Sequence, residues 1–202
     1  MNNNNNRLSE TMIYLASNSP RRAELLTQIG VSFTRVKADI KEQRDVAESP
    51  VQYVARLALQ KAQAGFINSQ KDRPVLGADT IVVVAETVLE KPRDKTHARE
   101  MMLIMSGATQ QVFTAIAVVN DQHTKQILVK TAVSFKQLTE QEISDYWHTG
   151  EPLDKAGGYG IQGIGGKFVT NINGSYSAVV GLPLYETDQL IKEFIKESSY
   201  VG

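Results

Sequence analysis

The chain has 202 residues, 42% of them hydrophobic, with no cysteine and with 22 basic residues balanced by 22 acidic ones. That length and hydrophobic share suffice for one large domain or two small lobes around a buried core, held without disulfides. Balanced charge offers no bulk field to nucleic acid or an acidic membrane, and no apolar run approaches the roughly 20 residues of a span, so neither is expected as a partner.

Residues Met1 to Arg7 lack the basic-then-apolar pattern of a secretory signal, and with the absence of cysteine this points to a cytoplasmic protein. The run Asn2 to Asn6 has too few apolar residues to order itself. It reads as part of a disordered tail over residues 1–10, ahead of one α/β domain over residues 11–202.

Met12 to Ala16 is an apolar run of strand length, stopped by Ser17-Asn18-Ser19-Pro20, after which Ala23, Leu25, Leu26 and Ile29 keep helical spacing up to Gly30. Phe33 to Val36 reads as a second strand, and Ser49-Pro50 opens a helix to about Phe66. Pro74 to Val84 holds the β-branched run of a buried central strand, and Asp94 to Met105 reads as a helix. Gln111 to Asn120 and Lys125 to Leu138 pair as strands, and Thr139 with Glu142 forms a capping box for a helix to His148. Ala156 to Gly166 is a glycine-rich loop. Lys167 to Ile172 and Ser175 to Val180 flank Asn173-Gly174 as a hairpin, and Pro183 opens the closing helix. Strands and helices alternate early and strands pair as hairpins later, so the class is α/β with a mixed twisted sheet and flanking helices.

Two segments could carry chemistry. Arg21 and Arg22 occupy a first helical turn, where the macrodipole disfavours cations. An anion bound there by backbone N–H groups, serine hydroxyls and guanidinium forks would reverse that penalty. The alternative is a plain N-cap by Ser19 with solvated arginines. Asp79 is a carboxylate inside an apolar strand, where an unpaired charge costs several kcal/mol. A metal, a cation or a catalytic task would account for it, as would an edge position with a hydrogen bond to a turn. Glu42, Lys61 and Lys91, taken alone, read as surface charges.

Gly158 to Gly163 matches G-x-G-x-x-G formally, but no strand precedes it and no helical pattern follows, so a dinucleotide site is rejected. The loop instead shapes a pocket, with Gln162 able to donate to and accept from a base. Scattered histidines and the absence of cysteine and of G-x-S-x-G remove zinc-site and acyl-transfer readings.

Taken together, Leu15-Ala16-Ser17-Asn18-Ser19-Pro20-Arg21-Arg22, Gly77-Ala78-Asp79-Thr80, Glu90-Lys91-Pro92, Asp154 to Gly163 and Val180-Gly181-Leu182-Pro183-Leu184 resemble the Maf family of nucleotide pyrophosphatases. The resemblance implies a fold like that of inosine triphosphate pyrophosphatases, with two lobes around a cleft, acting on a nucleoside triphosphate with Mg²⁺ or Mn²⁺. It implies phosphate binding by Ser17, Arg22, Lys61 and Lys91, metal binding by Glu42 and Asp79, and Asp79 as general base. Arg21, Thr80 and Gln162 match the branch acting on dTTP and UTP. The 7-methyl-GTP branch carries tryptophan, glutamine and glutamate there. Gly158 stands where relatives carry alanine. Association of the family with arrest of septum formation and with nucleotide-pool cleaning leaves a non-catalytic nucleotide-binding regulator as the rival class. Oligomeric state stays open, a homodimer being one arrangement.

Overall fold

A computed structural model of the chain describes residues 12–198, so the disorder expected for residues 1–10 lies outside the described residues. The chain begins with β1 (Met12–Ala16) and α1 (Pro20–Gln28), and Gly30 at φ 72° turns it into β2 (Ser32–Arg35), parallel to β1. Next comes α2 (Pro50–Ile67), started by Pro50 and a capping box in which Ser49 and Gln52 bond each other's backbone N–H. The central strand β3 (Val75–Val84) folds back into β4 (Thr87–Leu89), and α3 (Lys95–Met105) follows, capped by Asp94. The long antiparallel pair β5 (Thr109–Val119) and β6 (Thr124–Phe135) leads to α4 (Glu140–His148), whose capping box joins Thr139 and Glu142. Short 3₁₀ turns at Glu151–Asp154, Ala156–Gly158 and Ile164–Phe168 precede β7 (Val169–Asn173), α5 (Tyr176–Val180) and α6 (Leu184–Ser198).

The sheet is mixed, in the order β2-β1-β3-β5-β6-β7, with β4 on β3. Strands β1, β2 and β3 run parallel and the remaining pairs are antiparallel. One face packs on α2, where Tyr53, Val54, Leu57, Ala58 and Ala62 meet Val75, Ile81, Phe113 and Ala115. The other face carries two groups of helices. Leu25 and Leu26 of α1 join Leu190, Ile191 and Phe194 of α6 over Leu76 and Ile116, while Met101, Met105, Ile143 and Tyr146 of α3 and α4 cover Val82, Val112 and Val133.

Two elements differ from the sequence-based expectation. The hairpin expected around Asn173-Gly174 does not form, because Ser175 to Val180 is not a strand: Tyr176–Val180 is helix α5. The Ser175 hydroxyl accepts from Ala178 N–H and caps that helix, while the Ser175 N–H is taken by Thr131 Oγ1. Strand β4 was absent from the sequence reading. Its turn places Ala85 and Glu86 at φ 43° and 69°, left-handed values for which asparagine or glycine would have been the signal.

Candidate active site

The cavity begins with a missing strand neighbour. β1 ends at Ala16 opposite Gly77, and pairing with β4 begins only at Val82, opposite Leu89. Along that edge of β3, residues 78 to 81 have no strand partner among the described residues, and a cavity of 840 Å³ opens over the gap. Asp79, placed inside this gap, faces α2, and the next residue, Thr80, faces α1. The loop between β1 and α1, the segment after β4, and the glycine-rich loop complete the walls.

Lys61 reaches Asp79 because α2 lies almost on the backbone of β3. A Cβ at Gly77 would stand 2.4 Å from the Ala58 carbonyl oxygen and 2.5 Å from the Ala62 nitrogen, so only glycine admits the helix this closely. The Lys61 ammonium then donates to Asp79 Oδ1 at 2.7 Å and meets Glu42 Oε1 at 2.9 Å. Asp79 is buried, whereas Glu42 is nearly half exposed. Burial pushes the Asp79 carboxyl above the usual carboxylate range, against the pull of Lys61 and Arg22. Burial also disfavours charge on Glu42, but the Lys61 hydrogen bond and charge, with Lys91 and Arg22, hold it below that range. Two carboxylates sharing one lysine are thus driven apart, the higher one suited to taking a proton.

The first turn of α1 is not capped by Ser19, whose side chain makes no cap hydrogen bond. Ser17 Oγ accepts from the Ser19 N–H and from Arg22 Nη1. Arg22 also donates to the Gly181 carbonyl at 2.9 Å and to Thr80 Oγ1 at 3.4 Å, and desolvation makes its charged form costlier than in water. The Thr114 hydroxyl donates to the Ala178 carbonyl, so Thr80, 3.0 Å from it, donates to Thr114 and turns a lone pair towards Arg22. Arg21 points the other way and bonds Asp154 Oδ2 at 3.1 Å.

All nine residues singled out in the sequence line this cavity: Ser17, Arg21, Arg22, Glu42, Lys61, Asp79, Thr80, Lys91 and Gln162. Gln162 is exposed at the rim. Residues to which the sequence assigns no role also line it. Tyr53 donates to Glu90 at 3.0 Å, and Asp154 is held between Arg21 and Lys155. Glu151, just after Gly150, looks in the sequence like any surface acid, and its hydrogen bonds cross to residues 13 or 14 positions away, which no local pattern signals.

The lining carries five cations, Arg21, Arg22, Lys61, Lys91 and Lys155, and five anions, Glu42, Asp79, Glu90, Glu151 and Asp154. A polyphosphate entering such a neutral lining brings uncompensated charge, which a divalent cation would offset. Among the described residues no group of three or more His, Asp or Glu side chains could hold a metal. Asp79 and Glu42, bridged here by the Lys61 ammonium, are the carboxylates that could hold one, since Mg²⁺ characteristically binds one or two carboxylates and completes its shell with substrate phosphates and water. No helix among the described residues is long and apolar enough to cross a membrane.

Known proteins resemble this chain along most of its length. The family model described as Maf-like protein matches residues 12–194. The chain is 58% identical over 184 residues to a protein of Shigella dysenteriae serotype 1 named dTTP/UTP pyrophosphatase, covering 91% of this chain and 93% of the relative. It is 57% identical, with the same coverage, to a dTTP/UTP pyrophosphatase of Escherichia coli O157:H7 and to a Shigella flexneri protein named nucleoside triphosphate pyrophosphatase. A solved dITP/XTP pyrophosphatase from Mycobacterium abscessus overlays 63% of this chain and 75% of its own, at 18% identity and a TM-score of 0.44, too loosely to bear on the chemistry. With the family model spanning nearly all the described residues and relatives this similar along nine-tenths of the sequence, the chain belongs to the Maf-like protein family.

Proposed function

We propose that this protein hydrolyses dTTP and UTP to the nucleoside monophosphate and pyrophosphate, with a divalent cation, Mg²⁺ or Mn²⁺, in the cytoplasm. The observation that carries the proposal is the buried Asp79 carboxylate, bonded by Lys61 and acted on by the charge of Arg22, in the wall of a cavity large enough for a nucleotide. The names of the relatives, at 57–58% identity, support the substrate class.

In this reading Asp79 accepts a proton from the water that attacks the α-phosphorus. A P–O bond forms to that water as the bond to the departing pyrophosphate breaks. Ser17, Arg22, Lys61 and Lys91 hold the phosphates and neutralise charge that grows on the leaving oxygens. Lys61 also keeps Asp79 in place through its hydrogen bond. A cation bound by Asp79 and Glu42 would supply Lewis-acid neutralisation of phosphate charge. Thr80 fixes Arg22 as described, and Arg21 and Gln162 stand where the sugar or base would reach the rim. The test is pyrophosphate release from a panel of pyrimidine, purine and 7-methylguanine triphosphates with each metal. Preferential release from dTTP and UTP is expected. Preference for 7-methyl-GTP, or binding without release, would overturn the reading.

A further inference from the structure

The loop that presents Gln162 is not itself part of a helix or strand. Residues 159 to 163 lie between two short 3₁₀ turns; Tyr159 and Ile161 pack into the core, and one carboxylate ties the backbone on either side of Gln162. Glu151 Oε1 accepts from the Tyr146 hydroxyl at 2.7 Å and from the Gly165 N–H at 3.0 Å, while Oε2 accepts from the Ile164 N–H at 2.8 Å. The Tyr146 oxygen accepts in turn from the Gly160 N–H at 3.0 Å. Backbone donors on both sides of Gln162 therefore end on the same anion, directly or through one phenol.

The same geometry accounts for the glycines. A Cβ at Gly163 would lie 2.3 Å from Glu151 Oε2, one at Gly160 would lie 2.7 Å from Oε1, and one at Gly165 would lie 2.6 Å from the Tyr146 oxygen. The loop wraps the carboxylate too tightly for side chains. Burial alone would raise the Glu151 pKa, but the hydrogen bonds from Gly165, Tyr146 and Ile164, with the charge of Lys155, hold it below the usual range. Tyr146 is itself fixed in the core under Phe168, ring to ring at 5.1 Å, so the anchor reaches down to α4.

We propose that Glu151, with Tyr146, is a positioning residue that fixes Gln162 at the cavity rim and thereby sets selectivity for the base. This rests on the reading of Gln162 as the base contact. Glu151 acts through the loop, so its loss should change discrimination between bases more than it changes the chemical step.

The test uses Glu151→Gln and Tyr146→Phe, each alone and each combined with Gln162→Ala. Hydrogen exchange of residues 160–165 is measured alongside kcat and KM for dTTP and GTP. Glutamine keeps the size of Glu151 but cannot accept from all its donors. Exchange in the loop should quicken about tenfold to a hundredfold, the factor that one or two lost hydrogen bonds to a charged group supply, with sheet amides unchanged. The dTTP-over-GTP ratio of kcat/KM should fall about tenfold, chiefly through KM, and should fall no further where Gln162→Ala is already present. Unchanged loop exchange, or losses that simply add in the double variant, would overturn the proposal. If Glu151→Gln does not fold, Tyr146→Phe, which removes a single oxygen, decides by the same readings. A wild-type protein with no pyrimidine preference would defeat the reading of Gln162 and the selectivity role with it, while loop exchange would still show whether Glu151 holds the loop.

Discussion

On one side of the cavity Asp79, Lys61 and Arg22 stand on β3, α2 and the first turn of α1, elements locked by sheet register and core packing. On the other side Gln162 stands on an irregular loop whose backbone to either side of it is tied by hydrogen bonds to Glu151 and Tyr146. The first arrangement is costly to disturb and sets distances between reacting groups to a fraction of an ångström. The second can be loosened one hydrogen bond at a time. Chemistry on a rigid frame and recognition on a tethered loop is a division that mutation can test.

The largest effect should come from Asp79→Asn. If Asp79 is the base, turnover should fall by at least about a hundredfold while circular dichroism stays native. Near wild-type turnover would remove Asp79 from that role. Gly77→Ala comes next, since it pushes α2 away from β3 by main-chain contact. It should lower unfolding free energy by roughly 3 kcal/mol in urea titrations, and a neutral result would break the claim that this side is rigid.

Lys61→Met probes electrostatics on the same side. Asp79 acts as a base only when ionised, and its pKa is already raised by burial while Lys61 pulls it down. Activity should therefore rise with pH through that pKa, and removing Lys61 should move the rising limb of kcat/KM to higher pH. A limb that stays put or moves to lower pH would contradict the assignment. The smallest effect concerns α4, which carries Tyr146. The Lys136 hydrogen bond, with the Thr139 backbone, lowers the Glu142 pKa from 4.5 to about 2. A depressed carboxylate stabilises the fold above its unfolded pKa, and that stability drains away as pH falls from 4.5 towards about 2. Glu142→Gln should flatten the decline of Tm across that window by a small amount.

The sequence was most legible where the physics is local. The capping box at Thr139 and Glu142 and the helix after Ser49-Pro50 depend on residues within a turn or two of one another. It misled at Ser175, where an Asn-Gly turn signal lost to a serine cap whose backbone N–H is taken by Thr131, 44 positions away. In the site, Asp79 and the arginine turn stood out because each breaks a local rule, a carboxylate in an apolar strand and cations at a helix start. Lys61 and Glu42 break none. Their meaning comes from α2 crossing β3 at Gly77, a contact between residues far apart in the chain. Glu151 was passed over for the same reason, because its donors come from across the loop.

The five cations and five anions around the cavity also bear on how a ligand arrives. Within a few ångströms each charge acts separately, and a phosphate can meet an arginine or lysine one at a time. Beyond about 10 Å, the screening length in dilute salt, the opposed charges merge and their fields cancel. With 22 basic and 22 acidic residues in the whole chain, the net charge supplies no field in its place. An anion is then not drawn in from solution, and its encounter rate should sit in the range of unsteered association, with a shallow dependence on ionic strength. Capture becomes a matter of fit after arrival.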